Sequence, residues 1–145
     1  MSTTNLGLNI FNGSDYVDVS KFNENFSTID TLGVAYIAET GTNSVGWYYR
    51  KWSDGCYEAW LNKSAQNIAT TIGSGDGYRS KDITIKLPVT FSENPTVVIT
   101  PYDGTNTTWA SMRSISNSVA TLFFMSFDKA TRSIGYSVYV SGKVS

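Results

Sequence analysis

The sequence has no histidine, one cysteine and three prolines in 145 residues. Without histidine the chain lacks the usual general base and the commonest metal ligand, which excludes His-dependent catalytic triads and the common zinc sites. The single cysteine, Cys56, cannot form an intramolecular disulfide, and no histidine is present to activate it as a nucleophile. We therefore expect no enzyme activity, no cofactor and no metal.

The balance of charge and the length of the apolar runs exclude further partners. Eleven Lys and Arg against twelve Asp and Glu give a net charge of -1, which provides no positive field for nucleic acid. The longest strongly apolar stretch, 119–125, is far shorter than the ~18 residues of a membrane-spanning helix, so we expect no membrane insertion. The first twelve residues have no basic region and no apolar region of signal-peptide length, so we expect no signal peptide.

Aromatic residues make up 14% of the chain and charged residues only 16%, and Ser, Thr and Asn are abundant. This balance is typical of all-β surface proteins and favours a neutral binding protein. A chain of this length can bury a sizeable core. Its patterning divides it into an N-terminal arm with a helix, residues 1–33, and a β domain, residues 34–145.

The N-terminal part predicts an attachment segment followed by a helix. Residues 1–17 show no sustained periodicity, which indicates an extended arm. A helix over 18–33 can be capped by Asp18 or Ser20 and can end at Gly33. Its apolar residues follow the a/d spacing of a coiled coil, which suits a symmetric partner: Val19, Phe22, Phe26, Ile29 and Leu32. Alternatively the helix packs on its own domain, because so short a coiled coil is marginal alone.

Residues 47–61 predict a β-hairpin with aromatic side chains on both faces. Asp54 and Gly55 can supply the positive φ values of a two-residue type I′ turn. The resulting cross-strand pairs are Trp52 with Tyr57, Lys51 with Glu58, Arg50 with Ala59 and Tyr49 with Trp60. In this register one face carries Trp47, Tyr49 and Trp60, and the other carries Tyr48, Trp52, Tyr57 and Leu61. One face can join the core, and the other must meet a neighbouring subunit or a ligand.

Short apolar runs separated by turn residues predict further strands at 83–87, 96–101, 109–115, 119–127 and 134–141. Strand after strand without helices indicates an antiparallel β-sandwich. The glycine-rich stretch 73–81 lacks the Gly-Lys-Ser/Thr order of a phosphate-binding loop and leads into no helix. We expect it to be a mobile surface loop.

Several segments resemble tail-fibre proteins of phages and prophages. Asn5-Leu-Gly-Leu, residues 15–30 and the Leu32-Gly33 stop are similar to the N-terminal attachment and trimerising segment of that family. The hairpin 47–60, the stretch 85–97 and the closing Tyr136-Ser-Val-Tyr-Val-Ser-Gly142 resemble its tip domains. The chain departs from the family after the hairpin, where Trp60-Leu61-Asn62 replaces the usual ending in glycine. The resemblance implies a sandwich like that of trimeric H-type lectins on a short coiled-coil stem.

The same resemblance implies a homotrimeric receptor-binding protein of the virion, made in the bacterial cytoplasm. Such a protein recognises a glycan or protein of the bacterial surface, and its arm contacts other tail proteins. A purely structural fibre or decoration protein is the alternative. A polysaccharide-degrading enzyme is disfavoured, because most carboxylates fall at turns or strand ends.

The predicted receptor site is a loop with turn chemistry between two strands, together with two residues just beyond it. Its residues are Tyr102, Asp103, Asn106, Trp109 and Arg113. Each has a structural alternative. Trp109 could belong to the core or to a subunit interface, and Asp103-Gly104 could be a plain turn.

Overall fold

The computed structural model describes residues 23–28, 35–104 and 107–144. Residues 23–28, which belong to the predicted helix, are helical, and Phe26 is 61% exposed. The arm and the other predicted coiled-coil residues lie outside the described residues: Val19, Phe22, Ile29 and Leu32. The chain divides into two units between Tyr36 and Ile37. Within the described ranges, no helix has the length and apolarity to cross a membrane.

The second unit is built from ten described strands, all antiparallel to their neighbours. The strands are β1 (Ile37–Thr42), β2 (Tyr48–Trp52), β3 (Cys56–Thr70), β4 (Ile72–Ser74), β5 (Gly77–Arg79), β6 (Ile83–Lys86), β7 (Thr96–Tyr102), β8 (Thr108–Ile115), β9 (Val119–Ser126) and β10 (Ala130–Lys143).

These strands form two sheets. Sheet I has the order β1-β2-β3-β10-β7, and sheet II has the order β4-β5-β9-β6 with β8 also paired to β9. The long strands β3 and β10 pair from Cys56 opposite Lys143 to Thr70 opposite Ala130, with one irregularity between Ile134 and Tyr136. This pair is the central element of sheet I.

One hydrophobic core is shared by the inner faces of both sheets. Alternate residues of β3, β10 and β9 are buried because successive side chains of a strand point to opposite faces. From these strands the core contains Tyr57, Ala59, Leu61, Ile68, Ile134, Tyr136, Val138, Val140, Ala120, Leu122 and Phe124. Trp47, Ile85, Leu87 and Phe91 complete it. The two sheets are therefore arranged like a β-sandwich, in agreement with the predicted mainly β, antiparallel fold.

The predicted register of the hairpin is wrong by one residue. Tyr48 lies opposite Trp60, and Arg50 lies opposite Glu58. Gly55 has the expected positive φ of 81°. However, its N–H donates to the carbonyl of Trp52 at 3.1 Å, so Ser53 and Asp54 are the central residues of the turn. The loop therefore has three residues instead of two, which shifts every cross-strand pair.

The one-residue shift also changes which side chains of β2 and β3 share a face of the sheet. The inner face carries Trp47, Tyr49, Tyr57 and Leu61, and the rings of Tyr49 and Tyr57 are stacked with centroids 5.4 Å apart. Burial raises the pKa of Tyr57 to about 12. Tyr48 and Trp60 share the outer face, where their centroids are 5.7 Å apart.

The predicted surface loop at 73–81 is instead largely β structure. Strands β4 and β5 pair through Ile72 with Arg79 and Ser74 with Gly77, and β5 continues onto β9. Strand β1 was not predicted, and β3 continues to Thr70. Because β3 continues past Asn62, the chain has no strand end at Trp60-Leu61-Asn62, where the tail-fibre pattern ends in glycine.

Candidate functional site

Three aromatic side chains cross the outer face of sheet I in one line. In the register of the sheet, Tyr48 lies opposite Trp60, and Trp60 lies opposite Tyr139. The ring centroids are 5.7 Å and 5.5 Å apart. Val98 of the edge strand β7 lies opposite Tyr139 and is 50% exposed. We call Tyr48, Trp60 and Tyr139 the aromatic row.

A groove of about 520 Å³ lies along the aromatic row. Its polar lining comes from the neighbouring line of the sheet, where Asn62 lies opposite Ser137 and Ser137 lies opposite Thr100. The Ser137 hydroxyl donates to Asn62 Oδ1 at 2.7 Å. The described lining consists of Gly46, Tyr48, Trp60, Asn62, Val98, Thr100, Ser137, Val138 and Tyr139. None of these residues is charged, so the groove offers aromatic faces together with neutral hydrogen-bonding groups.

Neighbouring polar groups fix the orientation of the rings. Glu58 accepts hydrogen bonds from the Tyr139 hydroxyl at 2.8 Å and from Trp52 Nε1 at 3.1 Å. The Arg50 guanidinium lies 5.3 Å from the centre of the Trp60 ring, a cation–π distance. Burial is the main reason that the pKa of Tyr139 is raised above its ordinary value. The aromatic row is thus preorganised, which lowers the entropy cost of binding a ligand.

Tyr102, a predicted receptor residue, lies on the same face at the end of β7 and is 51% exposed. Its ring covers Gly135, since a Cβ atom added at that glycine would overlap the Tyr102 ring. Its hydroxyl donates to the carbonyl of Lys63 at 2.9 Å. Tyr102 therefore spans β10 and bonds to β3, next to the irregularity in their pairing. This position gives Tyr102 a structural role on an exposed surface.

The predicted loop after β7 is fixed by Asp103, which is partly buried and accepts a hydrogen bond from the Thr108 hydroxyl. Gly104 has a φ of 74°, as a turn at this position requires. Asn106 lies outside the described residues. The loop thus begins with a carboxylate that ties it to the start of β8.

Trp109 and Arg113 both belong to β8 in sheet II. The Trp109 ring packs on Phe127 with centroids 5.0 Å apart, and Arg113 Nε lies 3.1 Å from Asp82 Oδ2. The predicted site residues are therefore divided between two sheets, with Tyr102 on sheet I and Trp109 and Arg113 on sheet II. Their contact with a receptor stays a prediction.

The aromatic row was not among the predicted site residues, although part of its signal was in the sequence. Alternation in the hairpin indicated a second aromatic face. The two-residue turn, however, put Tyr48 and Trp60 on different faces. Tyr139 could be assigned to the face opposite Tyr136 by alternation, but its position beside Trp60 depends on pairing between strands far apart in the sequence.

Comparison with known proteins identifies a fold and no sequence family. No family model matches the chain, and no curated protein is significantly similar to it. An N-truncated R1-type pyocin tail fibre is similar in structure, with a TM-score of 0.54 and 17% identity over 90% of this chain and 98% of that one. A C-terminal fragment of the Pseudomonas aeruginosa R1 pyocin fibre has a TM-score of 0.55 and 15% identity over 92% of this chain. The match spans 39% of that fragment. The chain thus has a tail-fibre-like fold.

Proposed function

We propose that this chain is the receptor-binding part of a phage-tail-like fibre and recognises a glycan of the bacterial surface. The observation that carries the proposal is the groove beside the aromatic row. Trp60 and Tyr139 offer ring faces to the apolar face of a sugar, and Asn62 and Ser137 offer hydrogen bonds to its hydroxyls. The tail-fibre-like fold supports the biological setting, a virion-associated appendage.

In this proposal the groove binds its ligand without cleaving it. Glycoside hydrolysis usually requires a pair of carboxyl groups flanking the scissile bond. No carboxylate is present among the described residues that line the groove. Glu58 lies outside that lining and accepts two hydrogen bonds from aromatic side chains. We therefore propose attachment as the role of the chain, on a sandwich of the H-type-lectin kind.

We propose further that three copies assemble through the helix and that the N-terminal arm contacts other tail proteins. Three weak sites on one tip can raise avidity by about 10²–10⁴ without any new contact. The double variant Phe22→Asp with Phe26→Asp would place charges in apolar layers of the coiled coil, where unpaired burial is costly. Sedimentation velocity should show a trimer for the wild type and a smaller species for the variant. A wild-type monomer, or an unchanged trimer in the variant, contradicts the assembly.

The glycan site is tested by a glycan array and by attachment to bacterial cells. Tyr48→Ala removes an exposed ring of the aromatic row, and Tyr36→Ala removes a tyrosine of similar exposure outside the sheets (43% and 49%). We expect Tyr48→Ala to weaken binding about tenfold or more, which corresponds to about 1.4 kcal/mol, and Tyr36→Ala to bind like the wild type. Equal binding by both variants contradicts the site. Absence of any glycan or cell binding by the wild type supports the purely structural alternative.

A further inference from the structure

The outer face of sheet II carries a cluster of charged side chains, whereas the described lining of the groove is uncharged. Arg79 Nη1 lies 3.1 Å from Asp82 Oδ1, and Arg113 Nε lies 3.1 Å from Asp82 Oδ2. Two guanidinium groups thus share one carboxylate, which leaves a net charge of about +1 at the cluster. The side chains are solvent-accessible, at 25% for Arg79, 37% for Asp82 and 53% for Arg113. We call these three residues the arginine cluster.

A strand irregularity gives Arg113 its place in this cluster. The pairing of β8 with β9 shifts between Met112 and Ser114, so Arg113 has no partner on β9. Irregularities of this kind re-aim a side chain relative to the regular strand. Arg113 forms its ion pair with Asp82 through Nε. Among the described residues, none makes a hydrogen bond to the two terminal nitrogens of Arg113. They are available to an acidic ligand, which guanidinium groups recognise in a bidentate manner.

The arginine cluster shares its face with an exposed aromatic pair. Arg79 lies opposite Met125 on β9, and Met125 lies opposite Trp109 on β8. Trp109 is 37% exposed, and Phe127, which packs against it, is 73% exposed. The Arg79 guanidinium also lies 5.4 Å from the centre of the Phe123 ring. Aromatic surface and unsatisfied cationic donors are therefore presented together.

We propose that this outer face of sheet II is a second binding site, separate from the groove, for an acidic oligosaccharide. Arg113 and Arg79 bind the carboxylate or phosphate of the ligand, and Trp109 and Phe127 support an adjoining sugar ring. Trp109 and Arg113 are four residues apart on β8, a separation of about 13 Å along a regular strand. A ligand that contacts both is therefore an oligomer, and a single small anion reaches only the arginine cluster.

Asp82 competes with the acidic ligand for the same two guanidinium groups. The carboxylate of Asp128, by contrast, is paired with a different arginine, since its oxygens lie 2.6 Å from Arg132 Nη2. Asp82→Asn would raise the charge of the arginine cluster from about +1 to +2. We expect this variant to bind the acidic ligand several-fold more tightly, whereas a cluster that only supports the fold would lose stability and gain no affinity.

Calorimetric titration of the full chain with trigalacturonate tests the site, with galactotriose as the neutral match and inorganic phosphate as the small anion. Arg113→Gln removes the exposed guanidinium. Lys143→Gln, an exposed cation at the end of β10 in sheet I, is the matched loss of charge. We expect Arg113→Gln to weaken trigalacturonate binding at least tenfold, Lys143→Gln to leave it unchanged, and added salt to weaken it in the wild type.

Four results of these titrations would overturn the proposal, and a fifth concerns Tyr48→Ala. They are no binding of trigalacturonate, equal effects of Arg113→Gln and Lys143→Gln, no gain of affinity in Asp82→Asn, and phosphate binding as tight as that of the trisaccharide. Tyr48→Ala distinguishes this site from the groove. The variant should weaken binding of the glycan selected by the glycan array and leave trigalacturonate binding intact. Loss of both ligands in Tyr48→Ala would show a single shared site and contradict the second one.

Discussion

The outer faces of the two sheets both carry aromatic side chains, but they hold them differently. On sheet I the rings of Tyr48, Trp60 and Tyr139 contact one another in a continuous row. On sheet II Phe127 is more exposed than any ring of the aromatic row, and its pair with Trp109 lies on the same face as the arginine cluster. The groove on the first surface combines aromatic area with neutral hydrogen-bonding groups, and the second surface combines aromatic area with positive charge.

The difference shows that alternation along a strand decides which side chains face outward, while the neighbouring strands decide what those side chains do. Tyr102 faces outward on sheet I, yet its ring covers Gly135 and its hydroxyl bonds to Lys63. Phe127 faces outward beyond the end of β9, and 73% of it is exposed. An outward aromatic residue can therefore be structural in one sheet and free to contact a ligand in the other.

The largest expected change in stability separates the inner face of sheet II from its outer face. Phe124 is fully buried and Phe127 is 73% exposed, three residues away. Phe124→Ala should lower the free energy of unfolding by about 3–5 kcal/mol because it leaves a cavity in the core. Phe127→Ala should change it by no more than about 0.5 kcal/mol. Chemical denaturation measures both. A large loss of stability in Phe127→Ala would show that this ring is structural.

The next largest change in stability is expected when a glycine is replaced by alanine in sheet I, compared with the same change in sheet II. In Gly135→Ala the new methyl group meets the Tyr102 ring, and we expect a loss of about 1–3 kcal/mol, as for overpacking. Gly73→Ala in β4 of sheet II is the control, because no heavy atom lies within 4 Å of a Cβ atom there. Thermal denaturation should show a much smaller cost of Gly135→Ala when Tyr102→Ala is also present. An unchanged cost in that background contradicts the role given to Tyr102.

The smallest effect concerns alkaline pH and the inner face of sheet I. The pKa of Tyr57 rises from 10.0 to about 12, chiefly because burial disfavours the phenolate. The stability that this neutral phenol contributes is complete below pH 10 and is lost as the pH rises from 10 to 12. In denaturation measured across this range, Tyr57→Phe should lose less stability than the wild type. Parallel curves for the two proteins would place the alkaline sensitivity elsewhere.

The sequence allowed much of the β structure to be predicted but not its long-range order. Alternation located most strands, and Gly55 was correctly assigned a positive φ. The number of residues in the hairpin loop could not be read from Asp54 and Gly55, because both two-residue and three-residue loops use this dipeptide. That single residue decided whether Trp60 shares a face with Tyr48 or with Tyr49.

Other features depend on contacts that local patterns do not encode. The glycine-rich β4–β5 hairpin has little strand propensity of its own, and its pairing with β9 supports it. The pairing of β3 with β10 likewise joins partners distant in the sequence. The candidate groove joins β2, β3, β10 and β7, so it could be found only once that order was known.

Hydrogen–deuterium exchange of the protein, with and without a bacterial surface polysaccharide selected by the glycan array, tests directly whether the groove is the receptor site. We predict that binding protects amides of β3 and β10 around Trp60 and Tyr139, and that Tyr48→Ala abolishes this protection. Protection confined to β8 and β9, or to the segment before Ile37, with the strands around Trp60 and Tyr139 unchanged, would contradict the assignment of the groove as the receptor site.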